Sequence, residues 1–148
     1  MAEIPIRKAT REDFPAIRLL IHKVQINPTG LDWRRFIVAV TQEGSVVGCG
    51  QIKVHGDGSR EMASIAVHEN SRGYGLARGI IETLLTLEKN RPIYLMCRAR
   101  LKSFYMKFGF TAIILEKMPP YFKSIYRAEK IFNINSKASD RLLIMCLE

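Results

Sequence analysis

Two hydrophobic periods take turns along this chain, and each change of period marks an element. Residues 4–7 read as a short strand. Phe14, Ile17, Leu20, Ile21 and Val24 then fall at helical spacing. Thr10 followed by Asp13 is close to a capping box, so a helix is expected from there to about Val24. Pro15 is tolerable because it lies in the early turns. Asn27-Pro28-Thr29-Gly30 signals a turn, and a short helix or loop with Trp33 follows. Strands are predicted at 36–40, 46–54 and 60–67, joined by turns at Glu43-Gly44-Ser45 and His55-Gly56-Asp57-Gly58. Leu76, Ile80, Leu84 and Leu87 share one face of the next helix, which ends near Asn90 before Pro92. A strand at 93–98, a short helix at 101–107 stopped by Gly109, and a strand at 110–116 come next. Met118-Pro119-Pro120 interrupts. A helix at 121–132 is expected from Phe122, Ile125 and Ile131 or Phe132, and 142–147 is the last strand. The hairpins make the front half antiparallel, and the helix after 60–67 forces a crossover. The last strand reads as an edge, free to pair with a second copy or to stay unpaired, so a homodimer is possible.

The junction between strand 60–67 and the helix from Leu76 carries the most chemistry. It is Arg72-Gly73-Tyr74-Gly75-Leu76-Ala77. The first N–H groups of a helix have no partner inside it, and their dipoles add a positive field there. Glycine lets that backbone approach an anion closely. A pyrophosphate, and a cofactor carrying one, fits this turn; such a turn also serves merely to connect elements. Neither GxxxxGK[ST] nor GxGxxG is present, and position 78 is Arg.

Composition narrows the class. At 148 residues, 47% apolar and 25% charged, the chain reads as one globular domain over 1–148 with a substantial core. No apolar run is long enough for a membrane span, and the start through Arg7 lacks a secretory pattern, so a cytoplasmic protein is expected. Cys49, Cys97 and Cys146 sit far apart in strand-like runs and read as buried free thiols. His22, His55 and His68 are scattered, and no metal site is expected. The net charge is +9, but the basic residues are spread out rather than clustered. That favours an anionic cofactor over a nucleic-acid partner.

In element order over about residues 4–116 the chain resembles the GNAT superfamily of N-acetyltransferases. The family's acetyl-CoA loop, Arg/Gln-x-x-Gly-x-Gly/Ala, is met by Arg72, Gly75 and Ala77. Phe104-Tyr105-Met106-Lys107-Phe108-Gly109-Phe110 is close to the family's Phe-Tyr-x-Lys-x-Gly-Phe. The resemblance implies an α/β (α+β mixed) GNAT fold. Its sheet would have about seven largely antiparallel, twisted strands flanked by helices, with an extra helix before the last strand. It implies acetyl-CoA as co-substrate and no metal. The amides of Gly73, Tyr74, Gly75, Leu76 and Ala77 would hold the pyrophosphate, framed by Arg72. Ile65, Ala66 and Val67 would offer backbone groups to the pantetheine arm, which in this family lies between splayed strands.

Tyr105 matches the family's tyrosine that protonates the departing CoA thiolate. A phenol, with a pKa of about 10 against a thiol's of about 8.5, is a proton source at neutral pH. On its residues alone Tyr105 is equally a half-buried aromatic. Glu61, six residues before Val67, is placed like the catalytic glutamate of histone acetyltransferases, where it would take the amine's proton through a water; as a bare residue it is a solvated strand-end charge. His68 and Glu69 are weaker candidates, and water alone is another. Many members carry Asn where this chain has Arg98, which leaves a pantetheine contact open. The stretch 117–140 exceeds the family's usual turn; it would pack on the core, wall the acceptor site, pair subunits or contact RNA.

The expected activity is direct attack of a primary amine on acetyl-CoA in a ternary complex. No cysteine sits where the motifs converge, which argues against an acetyl-enzyme; Cys97 alone raises the question. The acceptor is a small molecule or a protein amine, with polyamines disfavoured by the basic surface. The alternatives are a non-catalytic acyl-CoA-binding or regulatory domain and an RNA-associated protein acting through 117–140.

Overall fold

The computed structural model describes residues 3–148; Met1 and Ala2, on which part of the secretory-pattern expectation falls, lie outside the described residues. The strands are β1 (Ile6–Lys8), β2 (Phe36–Val40), β3 (Val46–Val54), β4 (Arg60–Val67), β5 (Ile93–Arg98), β6 (Thr111–Ala112) and β7 (Leu142–Leu147). The helices are α1 (Phe14–Lys23), α2 (Leu76–Leu87), α3 (Lys102–Met106) and α4 (Pro120–Phe132), with short 3-10 turns between. The hydrogen-bonded strand order is β1-β2-β3-β4-β5-β7-β6. This is the mixed, mostly antiparallel seven-stranded sheet expected, with the extra helix in place before the last strand.

Contacts divide the chain into two compact units, 1–53 with 62–89, and 54–61 with 90–148. In the first, β1, β2 and β3 pair antiparallel. The apolar face of α1, through the fully buried Ile17 and Ile21, packs with Phe36, Val38, Cys49 and Ala66. The predicted box forms around a 3-10 turn: Thr10 N–H donates to Asp13 Oδ2 at 2.7 Å, and the same oxygen meets Arg7 Nη1 at 2.7 Å. In α2 the buried face is Leu76, Ile80, Ile81 and Leu84; Leu87, expected on it, is 50% exposed because the helix ends there. Gly50 permits this packing. A Cβ there would come within 2.6 Å of the Ile65 side chain and 2.8 Å of Ile80.

In the second unit, β4 contributes its first residues to a parallel pairing, Arg60↔Ile93 and Glu61↔Tyr94. This parallel pair follows from the α2 crossover. β7 pairs antiparallel with β5 over six positions and with β6 over two. Two expectations from sequence are corrected here. β7 is not an edge, because β6 folds back outside it. The strand expected at 110–116 is only Thr111–Ala112. The chain then turns through Leu115–Lys117, and Met118 packs with Phe122 and Ile144. Burying Met118 and Phe122 outweighs extending an exposed edge strand. The far end of α4 departs from its pattern as well: Ile131 and Phe132 are 71% and 82% exposed.

Candidate active site

The first unit holds the cradle. β4 contains one irregular residue, Ser64, at φ 60. A non-glycine residue rarely adopts this conformation, and the surroundings hold it there. Gln51, fully buried, donates from Nε2 to Ser64 Oγ at 2.9 Å and to Gly30 O at 3.3 Å. Beyond this point come Ile65, Ala66 and Val67, then a 3-10 turn at Glu69–Ser71. Arg72 folds back, its Nε donating to Val67 O at 3.2 Å. That bond fixes the loop to the end of β4.

Gly73 and Gly75 take φ 87 and φ 76, the left-handed region that glycine enters without strain. Gly75 is the residue before the first turn of α2. The first donor tied back along the helix is Gly79 N–H, to Gly75 O at 3.0 Å. The amides of Leu76, Ala77 and Arg78 therefore precede the ladder and are available to an anion. A Cβ built on Gly73 or Gly75 meets nothing within 4 Å, so the protein leaves open space over both. A cleft of about 310 Å³ at Gly75 is lined by Glu3, Ile4, Ile6, Tyr74, Leu76 and Gly79 as well. The residues predicted for the cofactor, Ile65, Ala66 and Val67 for the pantetheine arm and Arg72 to Ala77 for the pyrophosphate, thus lie in one unit.

The second unit holds the predicted proton-transfer residues. Tyr105, on α3, is half-buried, edge-on to Phe104 with ring centres 5.1 Å apart. Burial first, and then the Cys97 thiol, push its phenol up to about 12. It keeps its proton throughout the neutral range. Handing that proton to a free thiolate of ordinary pKa runs uphill. In the neutral range the group is a hydrogen-bond donor and not a phenolate. The Cys97 thiol is pushed up to about 11 by burial. It stays protonated and is a poor nucleophile.

Glu61 is no solvated strand end. It is 3% exposed, and its Oε1 meets His55 Nε2 at 2.7 Å. The His55 ring stacks on Tyr121, with centres 3.5 Å apart and planes 14° apart. Asp57 Oδ2 accepts from the Tyr121 N–H at 3.0 Å, which fastens the start of α4 to the hairpin. Neither His55 nor Tyr121 was singled out from sequence. One sits in a turn and the other sixty-six residues later on a helix, and no local spacing links them; the alternation that faces Glu61 inward was the only available signal. Arg98 is settled too: its Nη1 donates to Glu129 Oε1 and to Asp140 O, so it anchors α4 and the following loop. A second cleft, of about 250 Å³ along the end of α4, is lined by Tyr126, Glu129, Asn133 and Arg141 among others, and by none of the predicted site residues. Among the described residues, no group of three or more His, Cys, Asp or Glu side chains is arranged to hold a metal. Among them, too, no helix is long and apolar enough to cross a membrane.

The sequence profile of the Acetyltransferase (GNAT) domain matches residues 32–112, a stretch from before β2 through β6 that includes both the cradle and Tyr105. The chain belongs to the GNAT acetyltransferase family. Solved structures agree in fold. Rv2747 from Mycobacterium tuberculosis, in complex with CoA and NLQ, is 23% identical, with 97% of this chain and 98% of that one covered and a TM-score of 0.71. Escherichia coli ElaA is 17% identical over 99% of this chain and 100% of its own, at a TM-score of 0.69. N-acetylglutamate synthase from Neisseria gonorrhoeae, complexed with coenzyme A and N-acetyl-glutamate, is 16% identical at a TM-score of 0.70. That match takes in 99% of this chain but only 35% of the synthase, about a third of its length. No curated protein matches the chain.

Proposed function

We propose that this protein is an acetyl-CoA-dependent N-acetyltransferase acting on a primary amine by direct attack in a ternary complex. The observation that carries the reading is the cradle: two left-handed glycines ahead of α2, with helix amides that precede the ladder and open space above. Acetyl-CoA supplies the thioester when bound. The amides from Gly73 to Ala77 hold its pyrophosphate, and Arg72 keeps their loop in shape. Ile65, Ala66 and Val67 pair through their backbone with the amide-rich pantetheine arm, as an added strand would. An N–H near Val67 polarises the acetyl carbonyl. Glu61 takes the acceptor's proton, directly or through a water, and Tyr105 gives its hydroxyl proton to the leaving sulfur. The protonated Cys97 supports attack by the amine itself rather than by the protein. Three buried free thiols suit a reducing, cytoplasmic setting.

The test is calorimetric titration of the protein with acetyl-CoA beside an Arg72→Glu, Gly75→Glu variant. A panel of free amino acids, an aminoglycoside, a lysine-bearing peptide and a peptide with a free N-terminus is then screened for acetylation. Binding lost in the variant, with turnover of a panel amine, supports the reading. A folded protein that ignores acetyl-CoA overturns it. Binding without turnover, unchanged in Tyr105→Phe, favours the non-catalytic acyl-CoA-binding alternative.

A further inference from the structure

His55, which takes no part in the proposed transfer, meets Glu61 Oε1 through its Nε2 at 2.7 Å. A carboxylate only accepts hydrogen bonds. With Glu61 ionised, the hydrogen in the 2.7 Å contact belongs to His55 Nε2, and the ring's lone pair lies on Nδ1. The two side chains differ in access: that of Glu61 is 4% exposed and that of His55 13%. A proton taken up by Glu61 alone would sit on a buried acid with little route to solvent. The carboxylate–imidazole arrangement removes that difficulty by fixing the tautomer and stabilising the imidazolium. The ring's posture is also held. Tyr121 covers one face, Phe122 meets it edge-on with centres 5.8 Å apart, and Asp57 fastens Tyr121.

We propose that His55 and Glu61 work as one proton-accepting pair, in which His55 exchanges the proton with solvent and Glu61 orients the ring. This rests on the proposed removal of the amine's proton at Glu61 and moves the resting place of that proton from Glu61 to His55. The proton balance closes. The acceptor ammonium gives one proton to the pair, which ends on Nδ1 with Nε2–H still on Oε1 of Glu61. The neutral amine's nitrogen then bonds to the acetyl carbon while the carbon–sulfur bond breaks. The sulfur takes the hydroxyl proton of Tyr105 as it departs, and the nitrogen's second proton passes through water to the tyrosine oxygen, which restores the phenol. The proton on Nδ1 leaves to water. The ionisable groups around the pair are Asp57 from the hairpin, Arg60 beside Glu61 on β4, Tyr121 from α4, and Tyr94 from β5 with Cys146 and Glu148 near it. Asp57 sits below the usual carboxylate range, chiefly through the Ser59 hydroxyl, and is ionised. Tyr94 and Tyr121 are pushed up, chiefly by burial, and stay neutral.

Two measurements on the full chain test the pair. The first records the ¹⁵N-histidine signals of the wild type. His55 is expected to carry its hydrogen on Nε2, as the contact with Glu61 requires. An Nδ1–H tautomer overturns the proposal. The second is kcat/KM against pH for His55→Gln, His55→Phe and Glu61→Gln, using acetyl-CoA and the amine panel. Gln at 55 keeps a hydrogen bond to Glu61, and Phe keeps the stack on Tyr121. Both are expected to lose roughly 10²-fold near pH 7, to recover as the pH nears about 10 where the amine is itself neutral, and to bind acetyl-CoA normally. Wild-type rates and profile in either variant at 55, with Glu61→Gln impaired, overturn the pair and leave Glu61 as the base. Unchanged profiles in all three remove the base reading itself, and the pair with it.

Discussion

At the scale of the residue, burial sets what each functional group can do. Tyr105 has lost enough solvent that its phenol is pushed up to about 12. It stays protonated throughout the neutral range. Tyr105→Phe removes one hydroxyl and should lower kcat by roughly 10²–10³-fold, the usual contribution of a positioned proton donor, while leaving acetyl-CoA affinity intact by calorimetry. Equal rates would return Tyr105 to the role of a packed aromatic. Asp13 illustrates the opposite shift. Its carboxyl lies below the ordinary range, first because Arg7 donates to it, and the Thr10 amide adds to this against the effect of burial. A lowered folded value means stability present above the ordinary pKa of about 3.9 and lost as the pH falls through the folded one. Asp13→Asn should cost about 1 kcal/mol at pH 7. The gap from the wild type should close in denaturant melts as the pH drops below about 4. A gap that persists in acid would mean that the charge is not what matters.

At the scale of the element, the turn between β4 and α2 is where backbone conformation and chemistry coincide. Gly75 stands at φ 76, and a methyl group in place of its hydrogen would meet nothing within 4 Å. Its constraint is the dihedral and not space. Gly75→Ala is expected to cost about 1 kcal/mol, or roughly 2–4 °C in Tm, from backbone strain. Gly75→Asn, which tolerates this region, should recover most of that loss. Both should still weaken acetyl-CoA binding, because either Cβ enters the space that a pyrophosphate would approach. Stability and affinity that fell and recovered together would argue that the cradle is only a connection. Within α4, Phe122 ties the first turn into a core with Met118 and Ile144, whereas Ile131 and Phe132 stay exposed. The helix is therefore held at the end that covers His55.

At the scale of the whole molecule, a ligand that binds only the folded chain raises its stability by mass action. Acetyl-CoA at a hundred times its dissociation constant should add about 2.7 kcal/mol, seen as a rise in Tm in the wild type and absent in the Arg72→Glu, Gly75→Glu variant. No rise in the wild type would leave the cradle without its ligand. Much of this molecule was legible beforehand. β2, β3, β4, β5 and β7 begin and end where the hydrophobic periods change, and α2 begins there but stops at Leu87, before the expected end near Asn90; each is long enough for its period to be read and is punctuated by Gly, Pro or a charged turn. The Arg72–Ala77 cradle was legible for the same reason: it depends on neighbours in sequence, a strand, a glycine turn and a helix start. The brevity of β6, the interior place of β7, the partner of Arg98 and the approach of His55 and Tyr121 to Glu61 were not. Each depends on groups that are far apart along the chain, and burial and long-range pairing decide them. By itself the sequence determined most of the elements, the glycine turn between β4 and α2, and the family. The tertiary structure alone decided which carboxylate is buried, what it is bonded to and how strongly the tyrosine holds its proton, because desolvation and charge act through space rather than along the chain.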